Sequence, residues 1–128
     1  MKKLGLGFLA LLLMFGLTAC SSGDKSTGKA DIVLITDMGT IDDKSFNQGS
    51  WEGVEKYVDE NKDVKAQYVR PLSENDNEYY NTIAKVVQEM GAKVIVTPGH
   101  LFNNAVFRAQ KDFPEVHFIF VDSLPQED

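Results

Sequence analysis

Residues that commonly build catalytic and metal sites are scarce in this chain. Its 128 residues include one cysteine, Cys20, and two histidines, His100 and His117. A single cysteine excludes an intrachain disulfide and a cysteine-based metal site. The sequence also lacks G-x-S-x-G, Walker-loop and G-x-G-x-x-G motifs, and no side chains pair as nucleophile and base. We therefore predict no catalytic residues, no metal, no cofactor and no enzymatic activity.

Positive charge is also in short supply. Thirteen Lys and Arg residues face nineteen Asp and Glu residues, so the formal net charge is −6 at pH 7. Two of the lysines, Lys2 and Lys3, lie at the extreme N-terminus. Such an acidic chain is repelled by nucleic acid and by anionic lipid. We predict no nucleic-acid partner.

The N-terminal segment has the pattern of a secretory leader. Lys2 and Lys3 precede an apolar run from Leu4 to Leu17, which is short for a membrane-spanning helix. The run closes with the sequence LTAC, which resembles the bacterial lipobox and ends at Cys20. We predict that residues 1–19 are a lipoprotein signal peptide and that Cys20 carries the lipid. The alternative is an ordinary signal peptide with an incidental cysteine.

A lipidated cysteine would determine where the protein resides. Stable anchoring takes more than one acyl chain, which a lipoprotein cysteine provides. Residues 20–29 are polar apart from the cysteine and predict a flexible tether. We expect the remaining domain, residues 30–128, to be held on the extracytoplasmic face of the cell membrane.

Hydrophobic periodicity within 30–128 predicts alternating strands and helices. Short β-branched runs at 31–36, 65–70, 93–97 and 116–121 predict strands. Helical spacing and capping residues predict helices at 45–61, from the loop at 71–75 to Met90, and at 101–112. The order β-α-β-α-β-α-β predicts an α/β fold with a parallel, Rossmann-like sheet. Ligands of such sheets bind beyond the carboxyl ends of the strands.

Several candidate binding residues follow or flank those strand ends. Asp37 and Asp122 could accept hydrogen bonds from a ligand, or each could serve only its own turn. Phe46 could stack on a planar ligand or pack in the core. Asn47 combines a donor and an acceptor that suit a heterocycle, but it could also be an ordinary polar helix residue. His100 on the same rim could contact a ligand.

The adjacent carboxylates Asp42 and Asp43 allow two interpretations. They could bind a divalent cation, which would be compatible with a small metal-dependent hydrolase. Alternatively, they could cap the following helix, where the helix dipole favours negative charge. Histidine and cysteine ligands are missing nearby, so we favour the helix cap.

The loop and helix start just described resemble a known family signature. The stretch Thr36–Gln48, TDMGTIDDKSFNQ, and the WEG that begins at Trp51 are similar to the signature of the basic membrane protein family. Its members are substrate-binding lipoproteins of ABC importers, among them the purine nucleoside receptor A type. The segment Gly99–Phe102 and residues 118–123 resemble two further landmarks of that family.

The resemblance implies a type I periplasmic-binding fold, in which two α/β lobes enclose a nucleoside and pass it to an importer permease. Carried over, Asp37 and Asn47 would hydrogen-bond the base and Phe46 would stack on it. Asp122 would meet the ligand from the fourth strand, and Gly99 would allow close approach of the backbone.

Family members are much longer than 128 residues, so the resemblance implies an incomplete lobe. Two lobes normally close around the ligand, and we expect one lobe alone to bind weakly or not at all. Three alternatives remain open at the level of sequence. They are a receptor for a sugar or another small polar ligand, a truncated remnant that binds nothing, and the hydrolase mentioned above.

Overall fold

The computed structural model describes residues 28–126. The predicted signal peptide, Cys20 and most of the predicted tether lie outside the described residues. Among those described, no helix has the length and apolar content that crossing a bilayer requires.

The described chain alternates strands and helices in the predicted order. The strands are β1 (Ile32–Ile35), β2 (Ala66–Val69), β3 (Val94–Pro98) and β4 (His117–Val121). The α-helices are α1 (Phe46–Glu60), α2 (Asp76–Lys85) and α3 (Asn103–Asp112). The strands form one sheet in the order β2-β1-β3-β4, with every neighbouring pair parallel. The predicted α/β class with a parallel sheet is therefore confirmed.

The strand order changes direction between β1 and β3. The chain leaves β1 for β2 on one side and then returns past β1 to form β3 on the other side. In open α/β sheets, the crevice at such a reversal is the usual place for a ligand. Loops that follow β1 and β3 therefore begin next to each other at the carboxyl edge.

The sheet packs apolar side chains against helices on both faces. Val33, Ile35 and Ile95 point to the face covered by α2 and α3, and Leu34 and Val96 point to the face covered by α1. This alternation follows from the two-residue repeat of a strand. Because residues of both kinds are apolar, β1 reads as a continuous hydrophobic run in the sequence.

The first helix covers its face of the sheet only in part. Its buried residues are Asn47 and Val54, whereas Phe46 and Tyr57 are each 51% exposed. An open apolar groove of about 590 Å3 lies between α1 and β4, where Ile119 is also 51% exposed. The predicted apolar face of this helix is thus less buried than its spacing suggests.

A capping side chain begins α2, and a left-handed glycine ends the helical segment that continues from it. The side chain of Asn75 accepts a hydrogen bond from the Glu78 amide at 3.0 Å, as a helix cap does. At the other end, Gly91 adopts φ +74° and terminates the helix in the left-handed conformation. The last turn, Val86–Met90, widens into a π-helix, which the sequence analysis did not predict.

The third helix also starts differently from the prediction. A 3₁₀ turn, His100–Phe102, follows Gly99, and α3 begins only at Asn103. This tight turn buries Phe102 completely against Tyr79, with ring centroids 4.5 Å apart.

Candidate ligand-binding site

The candidate site lies at the carboxyl edge of the sheet. Asp37 comes two residues after β1 ends, Gly99 directly follows β3, and Asp122 directly follows β4. All strands are parallel, so these three residues emerge at the same edge. Two strand spacings, about 10 Å, separate the lines of β1 and β4.

Asp37 is held by a short network of hydrogen bonds. Its Oδ1 accepts hydrogen bonds from the Gly39 amide at 2.6 Å and from Nδ2 of Asn47 at 2.7 Å. Its own backbone N–H donates to Oδ1 of Asn47 at 3.3 Å. The bond from Gly39 closes an Asx turn, so the carboxylate does serve its own loop. Among residues 28–126, both hydrogen bonds to this carboxylate end on Oδ1, which leaves Oδ2 as an acceptor for a further donor.

Asn47 is buried beneath this loop and is only 1% exposed. Besides Asp37, its Nδ2 donates to Oδ2 of Asp43 at 2.9 Å. Both hydrogens of the amide group therefore contact carboxylates of the protein. The arrangement suits Asn47 to orienting Asp37.

Asp43 joins the network from the start of α1. Its Oδ1 accepts hydrogen bonds from the amides of Ser45 at 2.8 Å and Gln48 at 3.1 Å. Desolvation acts to raise the pKa of Asp43, but the hydrogen bonds from Gln48, Ser45 and Asn47 together lower it below the ordinary value. Of the two interpretations of the acidic pair, the structure gives Asp43 the role of helix cap.

Gly39 has to be a glycine for this network to form. A Cβ at that position would lie 2.7 Å from Nδ2 of Asn47 and 2.8 Å from Oδ1 of Asp37, closer than carbon approaches polar atoms. Gly39 was not among the candidate residues selected from the sequence. The spacing Asp-x-Gly was the available signal, because it favours an Asx turn.

Phe46 is the first residue of α1 and the neighbour of Asn47 in the chain. Its side chain is 51% exposed, so it is not the core aromatic that one interpretation allowed. An exposed aromatic ring at this position can stack on a planar group.

The loops after β3 and β4 are joined by a backbone hydrogen bond. The amide of Gly99, with φ +88°, donates to the carbonyl of Val121 at 3.0 Å. Asp122 is exposed and also has a positive φ, +57°, which is uncommon for a residue other than glycine. His100 is exposed in the 3₁₀ turn next to Gly99.

A cavity of about 430 Å3 opens on the β2 side of the Asp37 loop. Its lining residues are Thr36, Gly39, Thr40, Ile41, Asp42, Tyr68 and Arg70. Tyr68 and Arg70 were not among the residues selected from the sequence, because the pattern there predicts only a half-exposed strand and the residue that follows it. Only the order of the strands brings the end of β2 next to the loop after β1.

Comparison with known proteins agrees with this architecture. The family model described as "Bmp: ABC transporter substrate-binding protein PnrA-like" matches residues 30–128. A Lactococcus lactis protein named "ABC transporter nucleoside-binding protein BmpA" is 30% identical over 97% of this chain and 38% of its own length. A CD4+ T-cell-stimulating antigen of Listeria monocytogenes is 32% identical over 86% of this chain and 33% of its own length.

Two solved structures share the fold. An ABC transporter solute-binding protein from Conexibacter woesei superposes with a TM-score of 0.56 at 24% identity, covering 70% of this chain and 28% of its own. A lipoprotein fragment from Peptoclostridium difficile 630 superposes with a TM-score of 0.58 at 16% identity, covering 77% of this chain and 80% of its own.

The chain spans about a third of the length of the curated relatives it matches. The family match nevertheless covers the whole described α/β unit and includes the Asp37 loop and both later strand ends. This chain therefore belongs to the Bmp family of PnrA-like ABC transporter substrate-binding proteins.

Proposed function

We propose that this chain is the nucleoside-binding N-terminal lobe of a lipid-anchored receptor that delivers purine nucleosides to an ABC importer permease. Family membership supports the receptor role. The name of the Lactococcus lactis relative supports nucleosides as ligands. In this proposal the protein performs no reaction of its own and uses no cofactor.

The observation that carries the proposal is the network that joins Asp37, Asn47 and Asp43 beside the exposed ring of Phe46. Asp37 accepts hydrogen bonds from N–H groups on the edge of the base. Asn47 holds that carboxylate in place from below, and Phe46 stacks on the face of the base. An oriented acceptor and an exposed aromatic ring suit a flat heterocycle with polar edges.

The other strand ends complete the proposed rim. Asp122 approaches the ligand from β4, and Gly99 keeps the intervening loop free of a side chain. A single lobe leaves the other side of the ligand in water, so we expect weak binding by this chain alone.

The N-terminal proposals concern location. Residues 1–19 direct export, Cys20 receives the lipid, and residues 20–29 tether the lobe to the extracytoplasmic face of the membrane. Replacing Cys20 by alanine should release the protein from the membrane fraction into the soluble fraction. An unchanged membrane association of the Cys20→Ala variant would contradict the lipid anchor.

Titration of 15N-labelled protein with guanosine, followed by amide chemical shifts, tests the ligand. We expect shifts confined to the loop after β1, the first turn of α1 and the residues next to Gly99 and Asp122. Ribose is the control, since a sugar receptor would respond to it. A response to ribose equal to that with guanosine, or no response to guanosine, adenosine and inosine, would contradict nucleoside binding.

Phe46→Ala is the matching variant. We expect it to reduce guanosine affinity by about fivefold or more, since stacking of one base contributes about 1–3 kcal/mol. Because the ring is half exposed, stability should change little. Tyr57→Ala is the control, because Tyr57 is an aromatic residue with the same 51% exposure that lies in the last turn of α1, away from the strand ends.

A further inference from the structure

We propose that Asn103 is a positioning residue that fixes the backbone of Asp122 and thereby orients its carboxylate at the rim. This effect of Asn103 on the backbone of Asp122 does not depend on any ligand. Only the expected effect on affinity rests on the nucleoside-binding function proposed above.

The side chain of Asn103 lies where α3 begins and contacts the segment after β4. In the amide orientation that satisfies its neighbours, the nitrogen lies 2.7 Å from the carbonyl oxygen of His100 and 2.8 Å from Oγ of Ser123. The carbonyl oxygen of Leu124 is 3.3 Å from the same nitrogen. One amide group therefore links the 3₁₀ turn after β3 to two consecutive residues after β4.

A backbone contact reinforces this link. The amide of Gln126 donates to the backbone carbonyl of Asn103 at 3.4 Å. The segment from Ser123 to Gln126 is thus attached to the start of α3 at both of its ends.

Asp122 is held from both sides as a result. The residue before it, Val121, accepts the hydrogen bond from Gly99, and the residue after it, Ser123, contacts Asn103. Between them, Asp122 adopts φ +57°. Aspartate is among the few residues other than glycine that adopt the left-handed conformation readily, and the contacts on both sides hold Asp122 there.

This conformation determines where the Asp122 side chain goes. In an extended residue directly after β4, the side chain would continue the alternation of the strand across the sheet faces. The left-handed turn breaks that alternation at the rim. Asn103 therefore sets the direction of a carboxylate that it does not itself touch.

The test uses 13Cα and 13Cβ chemical shifts of Asp122, which report backbone conformation without any ligand. We expect Asn103→Ala to move these shifts away from left-handed values. Asn103→Asp, which retains the size of the side chain and favours the start of a helix but removes the donors, should do the same. Asn104→Ala is the control, because the amide of Asn104 donates to Asp76 instead.

Guanosine affinity supplies the second readout. Asn103→Asp should weaken binding about threefold to tenfold, as the loss of one hydrogen bond does. Adding Asp122→Asn to the Asn103→Asp variant should reduce guanosine affinity by a smaller factor than Asp122→Asn does in the wild type. If the Asp122 shifts of both Asn103 variants equal those of the wild type, the proposal is overturned. If guanosine shifts no resonance of the wild type, nucleoside binding fails, and the Asp122 shifts still decide the positioning role.

Discussion

Asn47 donates a hydrogen bond to the carboxylate of Asp37 at 2.7 Å, across ten residues of sequence. The same nitrogen donates to Asp43 at 2.9 Å. The amide group therefore lies between two negative charges and ties the end of β1 to the start of α1. A single side chain therefore joins the candidate rim to the first turn of α1.

Replacing Asn47 by aspartate should destabilise the protein. The variant loses both donors and places a third carboxylate between two others in a buried position. We expect the free energy of unfolding to fall by about 2–4 kcal/mol, the range for leaving buried polar groups unpaired. Urea denaturation followed by circular dichroism measures the change.

The control for that experiment is Asn81→Asp on the exposed face of α2, where the same chemical change should alter stability by less than about 0.5 kcal/mol. If Asn47→Asp and Asn81→Asp lowered the free energy of unfolding equally, the network would contribute nothing specific to stability.

Asp43 should make the protein sensitive to acid. Its pKa is lowered in the folded protein, because hydrogen bonds to the charged form outweigh desolvation. A lowered pKa contributes stability that is present above the unfolded value, about pH 4, and is lost as pH falls through the folded value. Asp43→Asn should therefore reduce the loss of stability between about pH 5 and pH 2.

Thermal melts across that range, with Asp63→Asn as an exposed control, measure the difference. Parallel pH profiles of the wild type and Asp43→Asn would contradict the assignment.

Tyr79 should make the stability of the protein sensitive to alkaline pH. Burial, followed by the negative charge of nearby carboxylates such as Glu74 and Asp37, raises the pKa of Tyr79 to about 12. A raised pKa contributes stability that is present below the unfolded value of 10 and is lost as pH rises through about 12. Tyr79→Phe should lose less stability than the wild type over this interval.

At pH 7, Tyr79→Phe should change the free energy of unfolding very little. The buried hydroxyl of Tyr79 has no hydrogen-bond partner within residues 28–126, so its removal leaves no group unpaired. Tyr57→Phe, on an exposed ring, is the control. A loss above about 1.5 kcal/mol at pH 7 would show that the hydroxyl has a partner.

Replacing each of two glycines by alanine should change the stability of the protein in opposite directions. Gly99 has φ +88°, so Gly99→Ala should cost about 1–2 kcal/mol although a Cβ would meet nothing within 4 Å. Gly53 lies inside α1 with equally open surroundings, so Gly53→Ala should stabilise by about 0.5–1 kcal/mol. Chemical denaturation of both variants measures the free energy of unfolding. A change of the same sign in the two variants would contradict this prediction.

The sequence predicted the strands and helices well because their signals are local. The β-branched runs, the cap at Asn75 and the terminating glycine at position 91 each act within a few residues, and each appears in the structure. Parallel pairing followed from the alternation of elements. The π turn at the end of α2 has no comparable signal in the sequence.

The candidate site was predictable only as a set of strand ends. Topology brings Asp37, Gly99 and Asp122 to one edge, which the order of elements already implied. The sharing of the Asn47 amide between two carboxylates depends on the rotamers of three side chains, and the sequence does not encode these in any periodic pattern. The same limitation applies to Asn103, whose amide contacts His100 and the segment after β4.

The groove between α1 and β4 has a practical consequence for these measurements. Parallel sheets ordinarily carry helices on both faces, yet Ile119 and Tyr57 leave part of one face in contact with water. Contiguous apolar surface beside an unpaired strand edge promotes clustering of molecules as their number per volume rises. Samples for magnetic resonance should therefore be kept dilute, so that line broadening from encounters between copies is not read as a response to nucleoside.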